Sequence, residues 1–256
     1  NISRGVSDPI SNNLAKALLV HSAAMQSGAI DAIDLRYRGF GVPHDVPHIL
    51  PCEPWQATLV FEPTIPPAKR QFARADFPIP KCFRRKDGSV EGEFLMTLVY
   101  DPPFDPAAGA GYCQVNIDVS LGTYDPDDDG KPKHASKIPL EPRDFGKLYE
   151  KHLVELGFKW SPVKVYRKAL EGTGGQRWRL KLQMLHRASL AQPAEPQRAA
   201  LVVSLFDPAR QKRWPTTRRA CFCRPCVTAC TVARTCANGS TAWAAIAPLS
   251  SEFLVL

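Results

Sequence analysis

Two periodicities divide the chain. Near its start, "SDPISNNLAKALLVHSAAMQSG" (7–28) places Ile10, Leu14, Ala17, Leu18 and His21 three and four residues apart, the spacing of one helical face. Asp8 or Ser7 can cap the first amides, Pro9 suits the first helical position and Gly28 suits the exit. An apolar face of this kind must pack on something. From about 55 to 207 the step changes to two. "VNIDVSL" (115–121) sets Val115, Ile117, Val119 and Leu121 against Asn116, Asp118 and Ser120, and "QRWRLKLQM" (176–184) sets Trp178, Leu180, Leu182 and Met184 against Arg177, Arg179, Lys181 and Gln183. Both read as strands with one buried and one wet face.

Further strands are expected at 56–63, 72–80, 93–103, 161–170 and 198–208, mostly ended by Pro or Asp-Pro. About seven strands separated by turn signals predict a mainly β fold with a few helices, a β-sandwich or jelly roll rather than a βαβ sheet. One helix is expected to interrupt the series at 142–158, with Asp144 as its cap and Phe145, Leu148, Leu153 and Leu156 turned toward the sheet. The glycine-rich "EGTGGQ" (171–176) is followed by a strand and by no phosphate-binding Lys-Ser/Thr, so it reads as a hairpin turn.

Composition sharpens this. The 256 residues are 44% apolar, enough to fill a core, and no apolar run approaches membrane-spanning length. The first residue is Asn1 and no secretory leader pattern follows, which suggests a processed product or a fragment. The net charge is +8, but the tail from Gln211 carries six of the 33 Lys and Arg and one of the 25 Asp and Glu. In the body, the strand with Arg177, Arg179 and Lys181 could follow a phosphate backbone, yet that alternation is also what any solvated strand shows. Neither nucleic acid nor membrane is expected as a partner. Cys52, Cys82 and Cys113 are scattered, as in a domain needing no oxidising compartment, and the reading leans toward the cytoplasm.

Two segments carry metal-like spacing. "YDPDDDGKPKHAS" (124–136) places Asp125, Asp127 and Asp129 at positions one, three and five of a calcium-loop pattern, with Gly130 at six. Position twelve is Ser136 where a bidentate Glu is needed, so a solvated acidic turn is the competing reading. In the tail, Cys221, Cys223, Cys226 and Cys230 could offer four thiolates to zinc, but Cys223 and Cys226 form the one Cys-x-x-Cys step and the tail has no His. Rich in Arg, Ala, Thr, Cys and Pro and devoid of Asp, the tail from about Gln211 has the texture of a GC-rich region read out of frame. No cofactor is expected, calcium being the alternative. His44 and His48 are separated by Pro47 and do not share a helical face as a metal pair would, and His21 is expected to be a packed structural histidine.

"KALLVHSA", followed by "YRGFGVPH", resembles the C-terminal edge of the catalytic domain in subtilisin-like serine proteases. In that family the corresponding helix follows the one bearing the nucleophilic Ser, and a Gly-aromatic-Gly-hydrophobic turn closes the domain. Similar multidomain members continue into a β-rich region with strands ending in "DPP", as Asp101, Pro102 and Pro103 do here. The family's three catalytic motifs are absent from the chain, so no catalytic residue is assigned. The resemblance implies a C-terminal portion of a serine endopeptidase, inactive alone: the protease edge in 1–50, a β-sandwich accessory domain in 51–210 and the Cys/Arg-rich tail in 211–256. Protein or peptide substrates would be met through the missing catalytic domain. The alternatives are a stand-alone β-sandwich module that binds protein or carbohydrate, and a zinc-dependent module built on the tail.

Overall fold

The computed structural model describes residues 10–27, 37–43, 55–66, 71–74, 77–126, 132–138, 160–175, 177–186 and 196–207. Within them the chain is mainly β, and α1 (Asn12–Ser27) is the α-helix described over its full length. The strands are β1 (Gln56–Phe61), β2 (Thr64–Ile65), β3 (Gln71–Arg74), β4 (Val90–Tyr100), β5 (Val115–Pro126), β6 (Pro132–Ile138), β7 (Val163–Thr173), β8 (Trp178–His186) and β9 (Gln197–Phe206). They form two antiparallel sheets, one in the order β1-β9-β4-β7 with β2 also on β9, the other in the order β3-β8-β5-β6.

The period-two pattern explains how the sheets meet. Val115, Ile117, Val119 and Leu121 of β5 lie beside Leu180, Leu182 and Met184 of β8, and all join Phe94, Met96, Leu98, Leu201 and Val203 from the other sheet in one hydrophobic core. The ring of Trp178 stacks on Phe94 across that core, with centroids 6.2 Å apart and planes 9° from parallel. The inward residues of β5 and β8 are therefore those the alternation selects.

The first sheet is buried on its other side as well. Leu14, Ala17, Leu18, Ala24 and Met25 of α1 pack on Leu95, Val99, Val165, Ala200, Val202 and Phe206. A sheet covered on both faces needs apolar residues at consecutive positions, hence the unbroken runs in "FLMTLVY" and "ALVVSLF". The apolar face expected for the helix is the one that docks, except that Ile10 precedes the helix and is exposed. The helix begins later than the Asp8 or Ser7 cap implies: Ser11 Oγ accepts the Leu14 amide at 3.1 Å, and Ser7 and Asp8 lie outside the described residues.

Three expectations need correction. The glycine-rich stretch after β7 is no hairpin, because β7 pairs with β4 while β8 belongs to the opposite sheet, so the chain crosses between layers there. Gly175 makes that crossing possible: its φ is 131°, and a Cβ on it would stand 2.2 Å from Thr123 Cγ2. Second, the strand read at 115–121 runs on to Pro126 and pairs with a strand at 132–138 that the pattern does not predict: Asp125 pairs with Lys133, and Ser136, the would-be twelfth position, pairs with Gly122. Third, the outer face of β8 is not uniformly wet. Arg179 is only 4% exposed, its guanidinium lying 3.3 Å over the Tyr124 ring, a cation–π seat that lets a charged side chain be covered. The expected helix at 142–158 and the tail from Gln211 lie outside the described residues.

Candidate functional site

α1 and the first sheet meet at a buried polar cluster. On the outer face of the first sheet, Thr97 of β4, Ser204 of β9 and Thr58 of β1 set hydroxyls among apolar residues. His21 reaches two of them, with Nδ1 2.9 Å from Thr97 Oγ1 and Nε2 2.8 Å from Ser204 Oγ. Ser204 Oγ lies a further 2.6 Å from Thr58 Oγ1. A neutral imidazole offers one donor and one acceptor, and the two hydroxyls complement both. Burial, helped by the nearby Arg167 guanidinium, pushes the His21 pKa down to about 3, so the ring is neutral at ordinary pH.

A histidine bonded to a serine hydroxyl invites comparison with a nucleophile and its base. Here His21, Thr97 and Ser204 all have zero exposure, so no substrate reaches the hydroxyl. The charged group acting on the ring is a cation, Arg167, where catalysis would need a carboxylate to orient and stabilise the imidazolium. The cluster is a packing device, as the helical pattern around His21 led one to expect. Arg167 reinforces it: its Nη1 donates to the Ala24 carbonyl of α1 at 2.9 Å, its Nε pairs with Glu93, and its Cζ lies 5.5 Å from the Phe206 ring centroid.

The glycine-containing turn at Gly39–Gly41 folds back on α1. The single Ser27 hydroxyl proton, at the end of α1, is shared between the Ala23 carbonyl at 2.8 Å and the Phe40 carbonyl at 3.0 Å. Gly41 has φ 95° and approaches so closely that a Cβ would meet Ser27 Oγ at 1.8 Å. Phe40 packs against the helix–sheet cluster. "KALLVHSA" and "GFGV" are thus one packed unit.

A third cluster went unread in the sequence. Lys164 of β7 has no exposure, yet its Nζ donates to Asn116 Oδ1 at 2.6 Å and pairs with Asp118. Asn116 Nδ2 donates to Asp118 Oδ2 at 2.7 Å, and the Tyr100 hydroxyl lies 3.0 Å from the Ser161 carbonyl and 3.4 Å from Asn116 Oδ1. Asn116 and Asp118 occupy the polar positions of an alternating strand, and Lys164 sits 46 residues beyond Asp118 on another sheet. Only the topology brings them together.

Elsewhere a shallow cleft of about 240 Å³ lies between Cys82, Arg84, Arg85, Glu91, Glu171 and Asp207. Arg84 and Arg85 stand there among a larger number of carboxylates, and Arg85 Nε meets Glu91 Oε2 at 2.5 Å. Among the described residues, no three His, Cys, Asp or Glu stand together as a metal site. Asp125 lies near the end of β5, whereas Asp127, Asp129, Cys221, Cys223, Cys226 and Cys230 lie outside the described residues, as do His44 and His48. Compared with known protein families and with curated proteins, the chain matches none.

Proposed function

We propose that this chain is the C-terminal portion of a subtilisin-like serine endopeptidase, in which α1 and the turn after it belong to the protease edge and the two sheets form a non-catalytic accessory module. The strand order β1-β9-β4-β7 facing β3-β8-β5-β6, with the chain moving back and forth between layers, fits a jelly roll. The observation that carries the reading is the joint state of the two motif halves: α1 and the Gly39-Phe40-Gly41 turn pack on each other through Ser27, and the helix is bolted to the sheet through His21. A packing helix and a closing turn are the roles the resemblance gives them. In this role the module would stabilise the catalytic domain and position substrates or partners, while the peptide bond is cut by an acyl-enzyme chemistry whose residues lie upstream.

A stand-alone module that binds protein or carbohydrate is favoured by one feature. The helix face carrying Leu14 and Leu18 is already covered by the chain's own sheet and needs no second domain. Reading the coding sequence upstream of Asn1, then treating the extended protein and the 256-residue chain with a serine-directed fluorophosphonate, separates the two. The protease reading expects a Gly-Thr-Ser motif upstream and labelling of the extended protein alone. Stoichiometric labelling of the 256-residue chain, or an upstream region with neither motif nor labelling, overturns it.

A further inference from the structure

We infer that Lys164 and Asn116 are the two ends of an intramolecular isopeptide bond, formed in the folded chain with Asp118 as the proton carrier. The Lys164 amine is fully buried and its Nζ is 2.6 Å from Asn116 Oδ1. Since a C=O bond is about 1.2 Å, Nζ stands no more than about 3.8 Å from the amide carbon, close to the separation at which bound reactants attack. A turn about the Asn116 Cβ–Cγ bond presents that carbon's face to the nitrogen.

Asp118 is placed for both proton transfers the reaction requires. Its Oδ1 meets the nucleophile, Lys164 Nζ, and its Oδ2 accepts from the leaving group, Asn116 Nδ2, at 2.7 Å. Passing the ammonium proton to the carboxylate yields a neutral amine and a carboxylic acid, removing the charge of an ammonium that has no exposure. The amine lone pair forms the Nζ–Cγ bond, and the carbonyl electrons move onto Oδ1 beside the Tyr100 hydroxyl, 3.4 Å away. Asp118 gives its proton to Nδ2, the carbonyl re-forms as the Cγ–Nδ2 bond breaks and ammonia leaves, and the Asp118 carboxylate takes up the second proton of Nζ. One amine and one primary amide become one secondary amide and one ammonia, with no oxidant or cofactor.

Placement in the fold gives the bond a purpose. Among the described residues, β6 pairs with β5 only from Leu121 onward, and no strand pairs with Val115–Ser120 on that side. Among the described strands, β7 stands at the edge of the opposite sheet. A bond from Lys164 to Asn116 stitches the two layers where hydrogen bonding between strands does not reach. With Tyr100, Lys164 and Asn116 all at most 5% exposed, the product amide is shielded from hydrolysis.

The test is the intact mass of the purified 256-residue chain, with peptide mapping of a protease digest. The expected result is a mass about 17 Da below the sequence value and a branched peptide joining the segments around Asn116 and Lys164. Asn116→Ala, Lys164→Arg and Asp118→Ala should each restore the full mass, Asp118→Ala with the fold verified by circular dichroism. Folded wild-type protein of unreduced mass, with the two segments recovered as separate peptides, overturns the inference without need of any variant. A loss of about 18 Da with the branch at Asp118 also overturns it, because Asn116 would then not be the acyl partner.

Discussion

His21 Nε2 lies 2.8 Å from Ser204 Oγ across the seam between the helix and the first sheet, and neither side chain has any exposure. The pair makes the seam sensitive to protons. With a pKa of about 3 in the fold against 6.5 for an ordinary imidazole, His21 resists the proton that the unfolded chain accepts. Its contribution is therefore complete above about pH 6.5 and is lost as pH falls from there toward 3, at up to about 1.4 kcal/mol per pH unit. His134, half-buried, lies in the same direction, its pKa lowered to about 4 by burial, Lys181 and Arg179. Replacing His21 by Gln, which can bond both hydroxyls but does not titrate, should flatten the fall in urea midpoint between pH 6 and pH 4. An unchanged slope would mean that the seam does not open to protons.

Docking of the helix can be measured at two positions on opposite faces. Leu14 is fully buried against the sheet, so Leu14→Ala should cost about 2–5 kcal/mol in denaturant unfolding. Leu19, 49% exposed, should change stability by less than about 0.5 kcal/mol when shortened to Ala. Equal losses at the two sites would be incompatible with the packing described.

Arg167 and Glu93 form a pair that is itself bonded to α1. Both side chains are mostly covered, at 15% and 17% exposure, and Arg167→Met would leave the Glu93 carboxylate without that cation. The expected cost is about 2–3 kcal/mol, largely recovered in the double variant with Glu93→Gln. Arg167→Met should also raise the His21 pKa, visible in the histidine signals of an NMR titration, because one of the two influences that lower it is gone. A single variant as stable as the wild type would show the pair to be incidental.

At the crossing between the sheets, Gly175 and Gly174 should respond differently to the same substitution. Gly175→Ala forces a Cβ onto Thr123 at a backbone angle that L-residues avoid, and should destabilise by about 1–3 kcal/mol. A Cβ on Gly174 meets nothing within 4 Å, so Gly174→Ala should be close to neutral. Thermal unfolding of the two variants checks the contrast.

How far the sequence discloses this fold depends on which surfaces are wet. β5 and β8 are legible because one face is apolar throughout, and their register pairs Ile117 with Met184 and Val119 with Leu182 as the alternation requires. β6 is not, since Lys133, His134, Ser136 and Lys137 give it no apolar stripe and its single fully buried aliphatic anchor is Ile138. The same blindness hides the crosslinking candidates: Asn116 and Asp118 look like wet-face residues until β7 brings Lys164 around the edge. His21 was readable as a packed residue from its helical spacing, but its partners were not, because Thr97 and Ser204 are single polar breaks in apolar runs more than 70 residues away. Which sheet each strand joins is decided by long-range pairing that local pattern does not encode, and the hairpin expected after β7 failed for that reason.

The sheet formed by β1, β9, β4 and β7 is a middle layer, and neighbouring residues along its strands answer to different cores. Leu95 belongs with the helix and Met96 with the opposite sheet. A chain shortened to begin after Ser27 would keep the inner core whole and yet bare Leu95, Val99, Val165, Ala200, Val202 and Phe206 as one continuous apolar strip. Such a strip is adhesive in water. The shortened protein would gain a tendency to self-associate on top of the stability it loses, so the helix is a solubilising cover as well as a source of stability.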